Sequence, residues 1–370
     1  MQRAISLAVL LAAAWATSAL SVNAMPTHSA MQIVGVRGAL ASTHRLPSVS
    51  TARPLPIDDE SETEALVAKA HKLTNLTAAD SAPFRFRATL FFYDPSGDAR
   101  VPPVKGSYAF TWATPSKWRE DADLLHLKQT EIANGTTLWT KRNAPYPSFG
   151  YWWTRDAIGV TRGVAYHFDS RTHIEISQVS GRNVACARNG GTHVQQELCL
   201  DTATALPFAQ YDATLHVQIL FANWAPWGSH WYPRTIRVFS GAEQLLRVEI
   251  ENVFDAPPES NWLAPPEGAV SRDWCADMKA ARVSDAIESA TLPDPIAPLP
   301  SNTTQIVGAI VYGLMGKDGN WLDLSVLESP DFKAAYQMLE NVRQFRNQPA
   351  TCHGTPVESE LIFRISPQAR

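Results

Sequence analysis

The sequence predicts an α+β protein: a large, curved antiparallel β-sheet of the half-barrel kind, followed by a small ββαβ unit. Three observations lead there. Short alternating runs separated by turn signals fill the chain from Phe84 to about Phe254. A proline-rich stretch interrupts the pattern between Asp255 and about Asn302. Beyond it, one strand–turn–strand–helix–strand pattern closes the chain.

The first residues read as an export signal spanning 1–24. Arg3 supplies the positive start, Ile5 to Leu20 is apolar and rich in alanine, and Val22-Asn23-Ala24 offers small residues for cleavage after Ala24. An uncleaved segment would instead be a membrane anchor, but the stretch falls short of the ~20 apolar residues a spanning helix needs. Residues 25–57 are rich in Ser, Thr, Pro and Ala without periodicity and are expected to form a disordered leader.

The first folded domain is expected over 58–269. Ser61-Glu62-Thr63-Glu64 has the form of a capping box, and Leu66, Ala70 and Leu73 share one face of the helix it opens. Pro83 ends any continuation. Strands are then expected at Arg85–Leu90, Lys105–Trp112, Gly163–Phe168, Thr214–Leu220, Thr235–Phe239 and Leu245–Ile250. Turns stand at Asp94-Pro95-Ser96-Gly97, Asn134-Gly135, Asn189-Gly190-Gly191 and Ser240-Gly241. Tryptophans concentrate here, and Trp139, Trp152, Trp153, Trp224, Trp227 and Trp231 fit either an ordinary core or the lining of an apolar cavity.

Residues 270–303 are expected to be a Pro-rich linker, with one short helix around Trp274 to Ala290. The last domain is expected over 304–370. Ile306 to Met315 and Trp321 to Leu327 flank the hairpin turn Gly316-Lys317-Asp318-Gly319. A helix opens at Pro330-Asp331 with Phe332, Ala335, Tyr336 and Leu339 on one face. Gly354-Thr355-Pro356 breaks the chain, and Val357 to Ile365 alternates as the closing strand.

Four cysteines in an exported chain favour disulfides, and three pairings are open to them. Cys186 and Cys199 flank a turn signal, so a local bridge is the first choice, leaving Cys275 with Cys352. A net charge of -4 and the lack of a Lys/Arg-rich run exclude nucleic acid as an expected partner.

The usual catalytic signatures are missing from the chain, and no catalytic residue, metal or cofactor is expected. His167, Asp169, His173 and Glu175 make the best metal-like group, yet a surface strand explains them better. Glu249 and Glu251 share a strand face and read as solvated rather than as paired catalytic carboxylates.

Gly316-Lys317-Asp318-Gly319, the helix ending in Val342-Arg343-Gln344-Phe345-Arg346, Pro349-Ala350 and Gly354-Thr355-Pro356-Val357 follow in the order seen in TonB-type energy transducers. Residues 304–366 thus resemble the C-terminal domain of that family. The resemblance implies a periplasmic protein associated with outer-membrane transport. It would bind a peptide of an envelope protein or outer-membrane receptor by strand addition. The edge offered would be the last strand, with Val357, Ser359, Leu361, Phe363 and Ile365 along one face. Cys352-His353 departs from the family pattern, and a cleaved N-terminus would leave no membrane helix to draw energy; uncleaved, it would be an inner-membrane anchor.

A second resemblance covers about 62–269. It rests on Gly106-Ser107-Tyr108, Pro115-Ser116-Lys117-Trp118-Arg119, Asn134-Gly135 with Leu138-Trp139, and the closing phrase Trp262-Leu263-Ala264-Pro265-Pro266-Glu267-Gly268-Ala269. This region is similar to the outer-membrane lipoprotein carriers of the LolA/LolB type. That implies a sheet curled around an apolar cavity for a lipid or acyl chain, with the C-terminal domain then purely structural.

Overall fold

The computed structural model describes residues 60–94, 100–164, 166, 168, 172–179, 181–189, 196–212, 215, 217–257, 262–283, 309–329 and 331–365. The expected signal peptide and leader lie outside these residues, as do His167 and Asp169. Among the described residues, no helix is long and apolar enough to cross a membrane.

Helix α1 (Glu60–Thr74) opens the folded chain. Five strands follow: β1 (Phe84–Phe92), β2 (Val104–Thr114), β3 (Lys117–Leu124), β4 (Leu127–Asn134) and β5 (Thr137–Arg142). After α2 (Phe149–Gly159) come β6 (His173–Val179), β7 (Arg182–Asn189), β8 (Gln196–Asp201) and β9 (Pro207–Asp212). The long strands β10 (Val217–Trp227), β11 (His230–Ser240) and β12 (Glu243–Asp255) precede the short β13 (Val270–Asp273). All join one 13-stranded antiparallel sheet in the order β13-β5-β4-β3-β2-β1-β12-β11-β10-β9-β8-β7-β6. The protein is mostly β, and the large open sheet agrees with the expected class.

The sheet curls, and α2 supplies the proof. Arg155 Nη1 on this helix lies 3.8 Å from Glu131 Oε2 on β4. The same helix packs against β11 and β12. Five strand spacings separate β4 from β11 in the sheet order. Laid flat they would cover about 24 Å, against a helix about 10 Å across. The two halves of the sheet must therefore bend around α2. Its face toward the sheet, Tyr151, Thr154, Ala157 and Ile158, is buried. It joins a continuous core with Phe84, Phe86, Tyr108, Phe110 and Trp118 from β1 to β3 and Ile236, Val238, Leu246 and Val248 from β11 and β12.

Helix α2 and β3–β4 were not anticipated, because local signals are weak at both. Ser148 makes no side-chain cap hydrogen bond, and the run Phe149–Gly159 is too aromatic to betray a period. The β3–β4 turn is Leu125-His126, with Leu125 rather than a glycine at φ 47°. Among the described residues of the strand expected at Gly163–Phe168, Gly163, Val164, Tyr166 and Phe168 are outside any strand. His71 instead holds that loop, its Nδ1 2.8 Å from the Val164 carbonyl oxygen.

The linker expected from 270 begins within the sheet, since Val270–Asp273 pairs with β5 as β13. Trp274 packs edge-on against Trp118, ring centres 5.9 Å apart. The expected helix around Trp274–Ala290 is also absent over its described part. Lys279 and Arg282 form isolated antiparallel bridges with Thr351 and Gln348.

The C-terminal unit contains β14 (Ala309–Met315), β15 (Trp321–Glu328), α3 (Phe332–Val342), β16 (Ala350–Cys352), β17 (Thr355–Val357) and β18 (Ser359–Ile365). Its three-stranded sheet runs β15-β14-β18, all antiparallel. The Asp331 side chain caps α3 by accepting a 3.0 Å hydrogen bond from the Ala334 amide. Ala335, Met338, Leu339 and Val342 then pack on Val311, Leu324, Val326, Phe363 and Ile365. The closing strand differs from expectation in one respect. Val357 belongs to β17 and pairs with Ala350, so Glu358 breaks the run and β18 starts at Ser359.

Candidate ligand site

The inner face of β3 and β4 carries charge where a core residue is expected. Period-two alternation places Glu120 with Trp118 and Ala122 on β3, and Gln129 and Glu131 with Leu127 and Ala133 on β4. Glu120 and Glu131 are direct cross-strand partners, 1% and 4% exposed. Like charges opposed this way are destabilising unless neutralised.

Each carboxylate has its own solution. Glu120 Oε1 accepts a 2.7 Å hydrogen bond from the Tyr151 hydroxyl, and Oε2 accepts one of 3.1 Å from Arg162. Burial pushes its pKa up, but Arg155, Arg162 and the Tyr151 hydroxyl outweigh burial and hold it below the usual carboxylate range. The Arg162 guanidinium also lies 4.7 Å from the centre of the Phe110 ring. Glu131 is held more loosely, by Gln129 Nε2 at 2.9 Å and by the 3.8 Å contact with Arg155. Burial, with the nearby charges of Glu120 and Glu360, pushes it up to about 7. Burial and Asp212 push Asp156 up to about 7 as well.

The network continues to the small unit. Glu360 on β18 is ion-paired with Arg142 on β5 and Arg272 on β13, and the three side chains are 12%, 9% and 14% exposed. Tyr312 on β14 stacks on Tyr146, ring centres 5.8 Å apart. Ile362 packs against the core of the large sheet. The face of β18 that carries Glu360 and Ile362 thus lies over the inner face of the large sheet at β5 and β13. It covers the concave side of the curled sheet, while Phe363 and Ile365 face α3.

Several buried polar atoms have no hydrogen-bond partner among the described residues: Arg142 Nη1 and Gln129 Oε1 on the inner face of β5 and β4, and the indole N–H groups of Trp152 and Trp153 with Asp156 Oδ2 on α2. Each such group costs about 1–3 kcal/mol when it has no polar neighbour.

The tryptophans divide. Trp152, Trp153, Trp224 and Trp227 are half-buried against the main core, with Trp227 5.3 Å from Phe84. Trp139 alternates with the inward-facing Leu138 and Thr140, and Trp231 with Tyr232. Alternation therefore puts both on the opposite sheet face, and neither lines an interior. Open hollows of about 480 and 160 Å³ lie outside this region, the larger against Lys279, Ala280, Arg282 and Gln348, the smaller against Glu62, Thr63, Leu66, Ala185 and Thr202.

Of the expected edge residues, Val357, Ser359, Phe363 and Ile365 are buried and Leu361 is half-buried, and β18 pairs with β14 alone among the described residues. Both expected disulfides are present, Cys186–Cys199 and Cys275–Cys352. Acidic or histidine side chains cluster beside each, Glu197 at the first and Asp277 with His353 at the second, but the bridged sulfurs do not act as metal ligands. His173 is exposed, Glu175 pairs with Arg188 at 2.6 Å, and Glu249 pairs with Arg247 at 3.3 Å.

Together these features define a mostly β protein whose open, curled sheet wraps one helix over a buried polar network. No family model matches the chain, and no curated protein matches it. Among solved structures it is similar to a LolA superfamily protein from Nitrosomonas europaea, at 10% identity and TM-score 0.35, over 54% of this chain and 94% of that one. It is also similar to a DUF1329 family protein from Desulfovibrio piger, at 12% identity and TM-score 0.35, over 54% of this chain and 96% of that one.

Proposed function

We propose that this protein is an exported, non-enzymatic carrier of an acyl chain or similar apolar ligand in the cell envelope, with its small C-terminal unit acting as a structural cover. The observation that carries this reading is the position of α2. One side of the helix meets the apolar face of the curled sheet, and Phe149, Trp152 and Trp153 add half-buried aromatic surface to the same core. An acyl chain entering beside α2 would exchange one apolar neighbour for another, so little hydrophobic stabilisation is lost. Mass spectrometry of organic extracts from protein purified out of its native envelope tests the idea. Acyl chains should co-purify in stoichiometric amount; protein free of them, and unable to take up a fluorescent fatty acid, ends the carrier reading.

The TonB-type resemblance supports a second reading, in which the unit binds a partner peptide by strand addition. What favours it is β18, an edge strand with β14 as its one partner among the described residues. Receptor peptides should then be retained by the full chain and lost from one ending before Ile306; equal recovery removes this reading. Export is a proposal of its own, tested by N-terminal sequencing of the envelope protein, where Met25 is the expected first residue.

A further inference from the structure

We propose that Arg142 and Arg272 form the binding site for the anionic head of a single-chain amphiphile, and that Glu360 of the small unit occupies this site as an internal stand-in. The inference rests on the carrier reading and specifies its ligand. Two guanidinium groups, from neighbouring strands β5 and β13, converge on one oxygen, Glu360 Oε1. Two buried cations then share one carboxylate, and Arg142 Nη1 remains a buried donor with no partner among the described residues. Buried cations in excess of their anion are costly, so the pair is better matched by a phosphate or by a carboxylate free to adjust its position.

The strand itself outlines the rest of the ligand. Ile362 stands two residues beyond Glu360, on the same face of β18 and about 7 Å along it. It packs against the main apolar core. A carboxylate held by two arginines, followed by an alkyl group on the apolar face beside α2, is the pattern a fatty acid or a lysophospholipid would present. Such a ligand displaces Glu360 and Ile362 together, which uncovers the concave side of the sheet.

The test uses the full chain and displacement of a fluorescent apolar dye by oleate, oleoyl lysophosphatidate, oleyl alcohol and inorganic phosphate. Both anionic lipids are expected to bind at least tenfold more tightly than the alcohol, since only they offer the arginines a charged hydrogen-bond acceptor. Arg272→Gln should abolish that preference. Glu360→Gln should raise affinity for both anionic lipids about tenfold or more and leave the alcohol unchanged. In the unaltered protein, hydrogen exchange in β18 should rise with saturating oleate and not with the alcohol. Equal binding of oleate and alcohol by the unaltered protein, protection of β18 unmoved by oleate, or displacement by phosphate as effective as by lipid overturns the head-group site and leaves the carrier reading standing. If neither oleate nor the alcohol displaces the dye, carriage fails as well.

Discussion

Glu120 on β3 and Glu131 on β4 stand directly opposite each other on the buried face of the sheet, and they are held in different ways. Glu120 is tied to Tyr151 and Arg162, while Glu131 has the loose contact with Arg155 and the side-chain amide of Gln129. Two buried carboxylates side by side are best tolerated when one is charged and the other neutral.

Glu131 should make stability depend on pH. Its folded pKa is raised to about 7 from the ordinary value of 4.5. A raised folded pKa means that the folded state holds a proton the unfolded state has lost. The contribution is complete below about 4.5 and declines as pH rises to about 7. Asp156, also raised to about 7, acts in the same direction. Glu131→Gln should therefore leave stability at pH 4 little changed and raise it at pH 8, by on the order of 3 kcal/mol. Urea unfolding at the two pH values measures the difference; an equal effect at both would contradict the assignment.

Tyr151→Phe removes the hydroxyl that donates to Glu120 at 2.7 Å while keeping the ring in the core. The loss should be about 1–3 kcal/mol, because a buried carboxylate oxygen is left without that donor. Glu120→Gln in the Tyr151→Phe background should recover part of it, and a double-mutant cycle separates the pair from general packing.

Gly313→Ala should disturb the C-terminal unit selectively. A Cβ at this position meets the six-membered ring of Trp321, which stacks on Phe363 with centres 5.1 Å apart. Overpacking of this kind costs about 1–3 kcal/mol. Hydrogen exchange should quicken in β14, β15 and β18 and stay unchanged in β1 and β2.

The Cys275–Cys352 bridge spans 77 residues of sequence and Cys186–Cys199 spans 13. By loop entropy the longer closure stabilises by about 4.5 kcal/mol and the shorter by about 3 kcal/mol. Cys275→Ser with Cys352→Ser should thus lower the thermal midpoint more than Cys186→Ser with Cys199→Ser. Calorimetry of the two double variants compares them directly.

Much of the fold was legible because its signals are local. Gly135 and Gly241 sit at positive φ in turns that the dipeptides Asn134-Gly135 and Ser240-Gly241 announce. The hairpin around Gly316–Gly319 follows from turn chemistry, and the 3.6-residue period finds α3, but it places Phe332 and Tyr336 on the packed face, where both are exposed and Met338 and Val342 are buried instead. The candidate site was not legible. Glu120, Gln129 and Glu131 occupy core positions with polar side chains, so they hide the very alternation that would have revealed β3 and β4. Counting outward from the two-residue turn Leu125-His126 pairs position 120 with 131, and that was the available signal.

The sequence by itself determined the elements whose cause lies within a few residues: turns, α3, most of the long strands and the local Cys186–Cys199 bridge. Tertiary structure alone decided that α2 meets β4 through Arg155 while packing on β11 and β12, that Trp139 and Trp231 face away from the core, and that Glu360 and Ile362 of β18 lie over the inner face of the large sheet. The reason is physical. Periodicity records which side of an element is apolar, whereas register and sheet curvature emerge from the packing of strands far apart in the chain, and no short stretch of residues encodes them.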